Sequence, residues 1–115
     1  MSRKSAPWQV WMADLSPVVG SEQAGRRPVV LVSSPFFTSF PTAMAIIVPL
    51  TTADRGLPHH VAVSPAASGV HRPSWARTDD VRTISEQRLI GAPIGTVTDK
   101  EAAEIRVWLR LMLDI

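Results

Sequence analysis

Gly20-Ser21-Glu22-Gln23-Ala24-Gly25-Arg26-Arg27-Pro28 runs straight into Val29-Val30-Leu31-Val32. Two glycines bracket a loop that carries one carboxylate and two adjacent guanidinium groups. Pro28 then opens a short apolar strand that can hold Arg27 in a fixed place. A guanidinium fork matches phosphate oxygens two at a time, so this loop suits a phosphodiester far better than an apolar ligand.

Working outward, Val10 to Ala13 form a strand after Pro7, and Ala43 to Leu50 a longer one ending near Thr51. His59 to Val63 and Arg77 to Ile84 supply two more, separated by the turn-rich Ser64-Pro65-Ala66-Ala67-Ser68-Gly69. Near-continuous apolar runs mean that both faces of the strands are covered. Many short strands joined by Gly, Pro and Ser turns favour a mainly β (α+β) fold built as a small barrel. Thr98-Asp99-Lys100-Glu101 is a capping box and predicts a C-terminal helix. Ala102, Ile105, Trp108, Leu109, Met112 and Leu113 give that helix a broad apolar stripe, with Val107 and Leu111 as a second edge. This exceeds what one small barrel needs, so a second subunit is expected against it.

At 115 residues and 45% hydrophobic content the chain makes one domain, burying about 65% of its unfolded surface. Residues 1–6 are expected to be disordered. The absence of cysteine excludes disulfides and thiolate metal sites and fits a reducing cytosol. Neither a secretory h-region nor a membrane-length apolar run is present, so a soluble, cytoplasmic protein with no membrane partner is expected. Net charge is +2, but ten of the twelve basic residues are arginine. Up to Arg77 seven basic residues face three acidic ones; from Thr78 onward five face seven. The basic part is where a polyanion, or an acidic partner imitating one, is expected to dock.

The glycine-bracketed block, with Ala13-Asp14-Leu15-Ser16-Pro17-Val18-Val19 before it, resembles the signature of the MazF/PemK/Kid family of toxin endoribonucleases. Pro49-Leu50-Thr51-Thr52, Val81-Arg82-Thr83-Ile84 and the apolar C-terminal helix extend the resemblance over nearly the whole chain. It implies an SH3-like barrel of the CcdB/Kid/MazF type acting as a homodimer. It also implies sequence-selective cleavage of single-stranded mRNA without metal or other cofactor, leaving a 2′,3′-cyclic phosphate and a 5′-hydroxyl. A cognate, MazE-like antitoxin, acidic and partly disordered, is expected over the basic groove.

Such cleavage needs a group to accept the 2′-hydroxyl proton, a clamp for the charged phosphorane and a proton for the leaving 5′-oxygen. Arg27 matches the family's catalytic arginine before proline, and Thr51 the threonine that supports the transition state. Arg77 and Asp79, two apart on the expected strand, would stand on one face and match the acid–base pair of the Kid-like branch. Asp79 is the more credible proton acceptor, since an arginine keeps its proton at neutral pH; a structural ion pair is the alternative. Glu22 either accepts a proton or contacts a base edge, or else tethers its loop through Arg26 or Arg27.

Arg26, Ser21, Gln23 and Thr52 are the expected RNA contacts. Trp8 and Trp75, near strand ends, are added as stacking candidates, although tryptophans in so small a chain are more often core or dimer contacts. His59, His60 and His71 do not suggest a metal: neighbours on a strand face opposite ways, and no acidic ligand lies at suitable spacing.

Several positions depart from the family pattern. Ser21 replaces the Kid-like histidine, Pro7-Trp8-Gln9 replaces arginine, glycine and an acidic residue, Pro73 replaces an aspartate, and Asp80 replaces a glutamine. Asp80 beside Asp79 is expected to repel phosphate and to raise the pKa of one of the two. Two other readings follow: a gyrase poison resembling CcdB, against which the ending Met112-Leu113-Asp114-Ile115 speaks, and an inactive barrel that only binds RNA or a partner.

Overall fold

A computed structural model of the chain describes residues 5–16 and 25–115. Ser21, Glu22 and Gln23 therefore lie outside the described residues. Seven strands, β1 (Gln9–Asp14), β2 (Arg26–Leu31), β3 (Met44–Thr51), β4 (His60–Val63), β5 (Ser74–Arg77), β6 (Arg82–Ser85) and β7 (Leu89–Thr96), pair antiparallel in the order β4-β5-β3-β2-β1-β7. β3 bends the sheet into a small barrel because one of its edges serves two partners. Its first half pairs β6, from Met44 opposite Ser85 to Ile47 opposite Arg82. Its end pairs β5, with Leu50 opposite Ala76 and Thr51 opposite Trp75. The other edge pairs β2, Val29 opposite Pro49. Two four-residue helices, α1 (Pro35–Thr38) and α2 (Pro65–Ser68), fill turns, and α3 (Asp99–Leu113) closes the chain.

Alternation along the strands sorts the core into two apolar clusters, one on each face. Val10, Val30, Val48, Leu50 and Ala76 point to the face covered by Ala102 and Ile105 of α3. Trp11, Ala13, Val29, Leu31, Ala45 and Ile47 point to the other. The near-continuous apolar runs are thus buried on both sides. Arg27 and Thr51 extend the second face beyond its apolar part, each two residues from a member of the Val29–Pro49 pair.

The expected capping box starts α3: Thr98 Oγ1 accepts from the Glu101 N–H at 3.1 Å, and the Thr98 N–H donates to Glu101 Oε1 at 2.9 Å. Glu101 Oε2 also accepts from the N–H and hydroxyl of Ser64 at 2.9 and 3.1 Å, which ties the helix start to the end of β4. Burial alone would raise the Glu101 pKa, but these donors outweigh it and hold it below 4.5. Ile105 is fully buried, contributing about 2 kcal/mol, while Val107, Leu111 and Leu113 stay more than half exposed.

Three differences from the sequence expectation have local causes. β7 carries Gly91, Pro93 and Gly95 and is mostly exposed, so it lacks both strand propensity and apolar alternation; pairing with β1 makes it a strand. The expected strand from Arg77 to Ile84 is interrupted by a 3₁₀ turn at Thr78–Asp80, where the buried Thr78 hydroxyl donates to the His59 carbonyl at 2.7 Å. Trp8, standing where the resembled family has glycine, adopts a left-handed φ of 74°. Its backbone is held there by bonds to Leu31 O at 2.6 Å and from the Val97 N–H at 3.0 Å, at a cost of about 1–2 kcal/mol. Gln9 locks the same corner, its Oε1 accepting from the Ala6 N–H at 2.8 Å and Trp11 Nε1 at 3.1 Å.

Gly69 ends α2 with φ 79°, and a Cβ there would fall inside the Ile94 carbonyl of β7. Gly69→Ala is expected to lower stability by about 2–4 kcal/mol, because backbone on backbone cannot yield; urea unfolding checks this, and an unchanged midpoint would contradict it. Among the described residues no helix is long and apolar enough to cross a membrane.

Candidate functional site

The strand register brings Arg27 and Thr51 to one groove of about 430 Å³, lined also by Thr52, Leu50, His71 and Arg72. Arg27 is half-buried, and its Nη1 donates to the Leu50 carbonyl at 3.4 Å. Its pKa is lowered by burial first and then by the charges of Arg77 and Arg82, so three guanidinium groups concentrate positive potential on this face. Thr51 is 6% exposed, and its Oγ1 accepts from the Ala53 N–H at 3.1 Å. In that bond the oxygen is the acceptor, so the hydroxyl hydrogen is directed elsewhere. Among the described residues the groove lining contains no carboxylate.

A slightly larger hollow, about 480 Å³, lies beside Arg82 and Arg88. Its arginines hold the fold together: Arg88 Nη1 donates to the carbonyls of Asp14 (3.0 Å) and Ser16, and Arg82 lies 3.8 Å from Asp80.

Arg77 and Asp79 do meet, Nη2 to Oδ2 at 3.2 Å. Strand alternation is not the cause, since the 3₁₀ turn after Arg77 swings Asp79 back against it. Trp75, opposite Thr51, and Arg77, two residues on, extend the same face of β5. Burial would raise the Asp79 pKa, yet the hydrogen bond and charge of Arg77, with His59 behind them, bring it below 3.8. The expected upward push from Asp80 does not govern Asp79, because Asp80 faces Arg82.

The histidines depart from expectation. His59 precedes β4 rather than lying in it, so alternation does not separate it from His60. Both rings reach Asp79: His59 Nε2 and His60 Nε2 lie 3.5 and 3.6 Å from Asp79 Oδ1. An acidic group is thus present where sequence spacing showed none, supplied across the sheet by the turn after β5. His60 is 7% exposed, and its pKa is lowered by burial, which outweighs Asp79; the neighbouring His59, Arg77 and Arg55 act in the same direction as burial.

Among the expected RNA contacts, Thr52 lines the groove and is exposed; Arg26 is exposed at the start of β2; Trp75 is half-buried. Trp8 is elsewhere. It packs beside α3 with the Arg106 guanidinium 4.7 Å over its ring, and it shares no hollow with Arg27. There its partly buried ring packs against the apolar cluster that α3 covers. Sequence reasoning passed over His71 and Arg72 as groove residues. Their signal was a basic pair after the Gly69 turn, and only the approach of β5 to β3 brings it beside Thr51.

A family model described as the PemK-like, MazF-like toxin of type II toxin–antitoxin systems matches residues 6–113. Endoribonuclease EndoA of Bacillus subtilis (strain 168) is 41% identical over 81 residues, 70% of each chain. Endoribonuclease toxin MazF of Escherichia coli (strain K12) is 35% identical over 104 residues, 90% of this chain and 88% of that one. Among solved structures, MazF from Deinococcus radiodurans superposes with a TM-score of 0.84 over 96% of this chain and 97% of its own, at 23% identity. An endoribonuclease in complex with its cognate antitoxin, from a mycobacterial species, gives 0.77 over 97% of both chains at 26% identity.

Proposed function

The chain belongs to the PemK-like, MazF-like toxins of type II toxin–antitoxin systems and is an endoribonuclease of that family; we propose that residues 1–115 form a single toxin domain that cuts single-stranded mRNA at selected sequences, with Arg27 and Thr51 at the reacting phosphate. The observation that carries this assignment is their convergence in one groove from separate strands.

RNA supplies its own nucleophile, the 2′-hydroxyl next to the scissile phosphate. Asp79, ionised at neutral pH and steadied by Arg77, accepts that proton. As the 2′-oxygen bonds to phosphorus, negative charge grows on the non-bridging oxygens. Arg27 and the Thr51 hydroxyl stabilise it there, in a partly dry groove where charge–dipole attraction exceeds its value in water. The 5′-oxygen leaves with a proton, for which the His71 imidazole in the groove is the donor. The products are a 2′,3′-cyclic phosphate and a 5′-hydroxyl, and no metal is required. Thr52, Arg26 and Trp75 hold flanking nucleotides, with Ser21, Gln23 and Glu22, which precede Arg26 in the sequence, as further contacts.

The partners follow from charge and exposed apolar surface. Arg27, Arg77 and Arg82 make the face basic, which suits an acidic antitoxin segment that competes with RNA. Val107 (54% exposed), Leu111 (65%) and Leu113 (53%) leave α3 with uncovered apolar surface that a second copy of the chain would bury.

The deciding experiment incubates purified protein with a long unstructured RNA in EDTA and maps cut positions and end chemistry. Discrete cuts ending in cyclic phosphate are expected, and intact RNA at high protein concentration would overturn the assignment. Thr51→Val keeps the shape and removes the hydroxyl. It is expected to slow cleavage about 10–100-fold in single-turnover assays, the effect of one lost transition-state hydrogen bond.

A further inference from the structure

The His59–His60–Asp79 cluster has no part in the groove chemistry beyond its carboxylate, yet its geometry resembles a coordination shell. A tetrahedral Zn²⁺ site with metal–ligand bonds of about 2.0–2.1 Å spaces its ligand atoms about 3.3 Å apart. Both imidazole Nε2 atoms lie close to that distance from Asp79 Oδ1, at 3.5 and 3.6 Å, and all three ligand atoms fall within 4.8 Å of one another. The two rings meet edge to face, centroids 4.8 Å apart and planes at 83°, so their lone pairs can converge.

A second observation points the same way. Neither ring nitrogen of His60 has a hydrogen-bond partner among the described residues, although its side chain is only 2% exposed. A buried polar group without a hydrogen bond is destabilising, and a metal bond would satisfy Nε2. Asp79 Oδ2 is held by Arg77 at 3.2 Å, which orients Oδ1 toward the rings as outer-shell partners orient metal ligands. Imidazole and carboxylate together suit Zn²⁺ rather than Ca²⁺ or Mg²⁺, which take oxygen shells. Closing the shell requires an inward swing of the His59 ring, whose side chain is 20% exposed, while His60 stays where packing holds it.

We propose that His59, His60 and Asp79 bind one borderline divalent transition-metal ion per chain, with Zn²⁺ as the probe, leaving a coordination position open to water. The ion would sit on Asp79 Oδ1 and act as a brake on cleavage; this consequence, unlike the site itself, rests on the assignment of Asp79 as proton acceptor.

The test uses the full-length, tag-free chain stripped of metal. Zn²⁺ is titrated calorimetrically, and Co²⁺ by visible absorption, whose intense d–d bands mark tetrahedral coordination. One ion per chain is expected, with affinity at least 10-fold weaker in His59→Ala and in His60→Gln and unchanged in His71→Ala. His59 is partly exposed, so His59→Ala folds even if the buried His60 variant does not. No saturable binding, or binding that His59→Ala leaves intact, would overturn the site. Cleavage in the presence of saturating Zn²⁺ separates the two ideas. Inhibition reversed by EDTA is expected, whereas undiminished cleavage by the loaded protein would remove Asp79 from proton transfer and leave the metal site standing.

Discussion

Arg27→Ala is expected to slow RNA cleavage about 10²–10³-fold while the protein keeps its fold, the usual effect of removing one preorganised donor from a developing oxyanion. The fold should survive because the Arg27 hydrogen bond to the Leu50 carbonyl is long, 3.4 Å, and Arg27 belongs to neither apolar cluster. Its removal also relieves crowding among like charges, since Arg77 and Arg82 both act on it. Arg27→Lys sharpens the test. It keeps the charge and loses the two-pronged fork, so it should recover only part of the rate. Single-turnover cleavage and a thermal melt of each variant give the comparison. A folded Arg27→Ala protein that cuts at the original rate would remove Arg27 from the mechanism.

Asp79→Asn should cost about 10²–10⁴-fold, the range for a positioned general base. The amide keeps the shape and cannot take a proton. The pH dependence has a defined sign: Asp79 works as carboxylate, and its pKa lies below the ordinary 3.8. Its contribution is therefore present at neutral pH and lost only as pH falls through that lowered value. An inflection closer to neutrality belongs to another group. Asparagine also withdraws the charge facing Arg77, which is 8% exposed, so some stability should be lost as well. Rates measured below the variant's melting range separate the two effects. A rate within a few-fold of wild type would reduce the Arg77–Asp79 pair to a structural ion pair.

Legibility varied with the range of the interactions involved. The capping box at Thr98 and Glu101 was visible because both partners lie within one helical turn. The buried strands β1, β2 and β3 were visible because burial on both faces demands continuous apolar runs. β7 was not, since its glycines and proline suppress the local signal and only the edge of β1 makes it a strand. Arg27 and Thr51 could be named from their motifs, whereas His71 and Arg72 look like ordinary turn residues until β5 docks on β3. The histidines failed for a specific reason: alternation was applied to His59, which lies outside β4, and the partner of both rings comes from the far side of a 3₁₀ turn.

By itself, the sequence determined the barrel-and-helix class, the Arg26-Arg27 pair that opens β2, and the family to which the chain belongs. All of these are written in local order: period, caps and a contiguous motif. Only the tertiary structure decided which residues share the groove, that Trp8 serves the helix and lies away from the groove, and that Asp79 stands between one arginine and two histidines. Those relations depend on strand register and on where turns redirect the chain. A shift of one residue in either would send each side chain to the opposite face without changing the local pattern that names it.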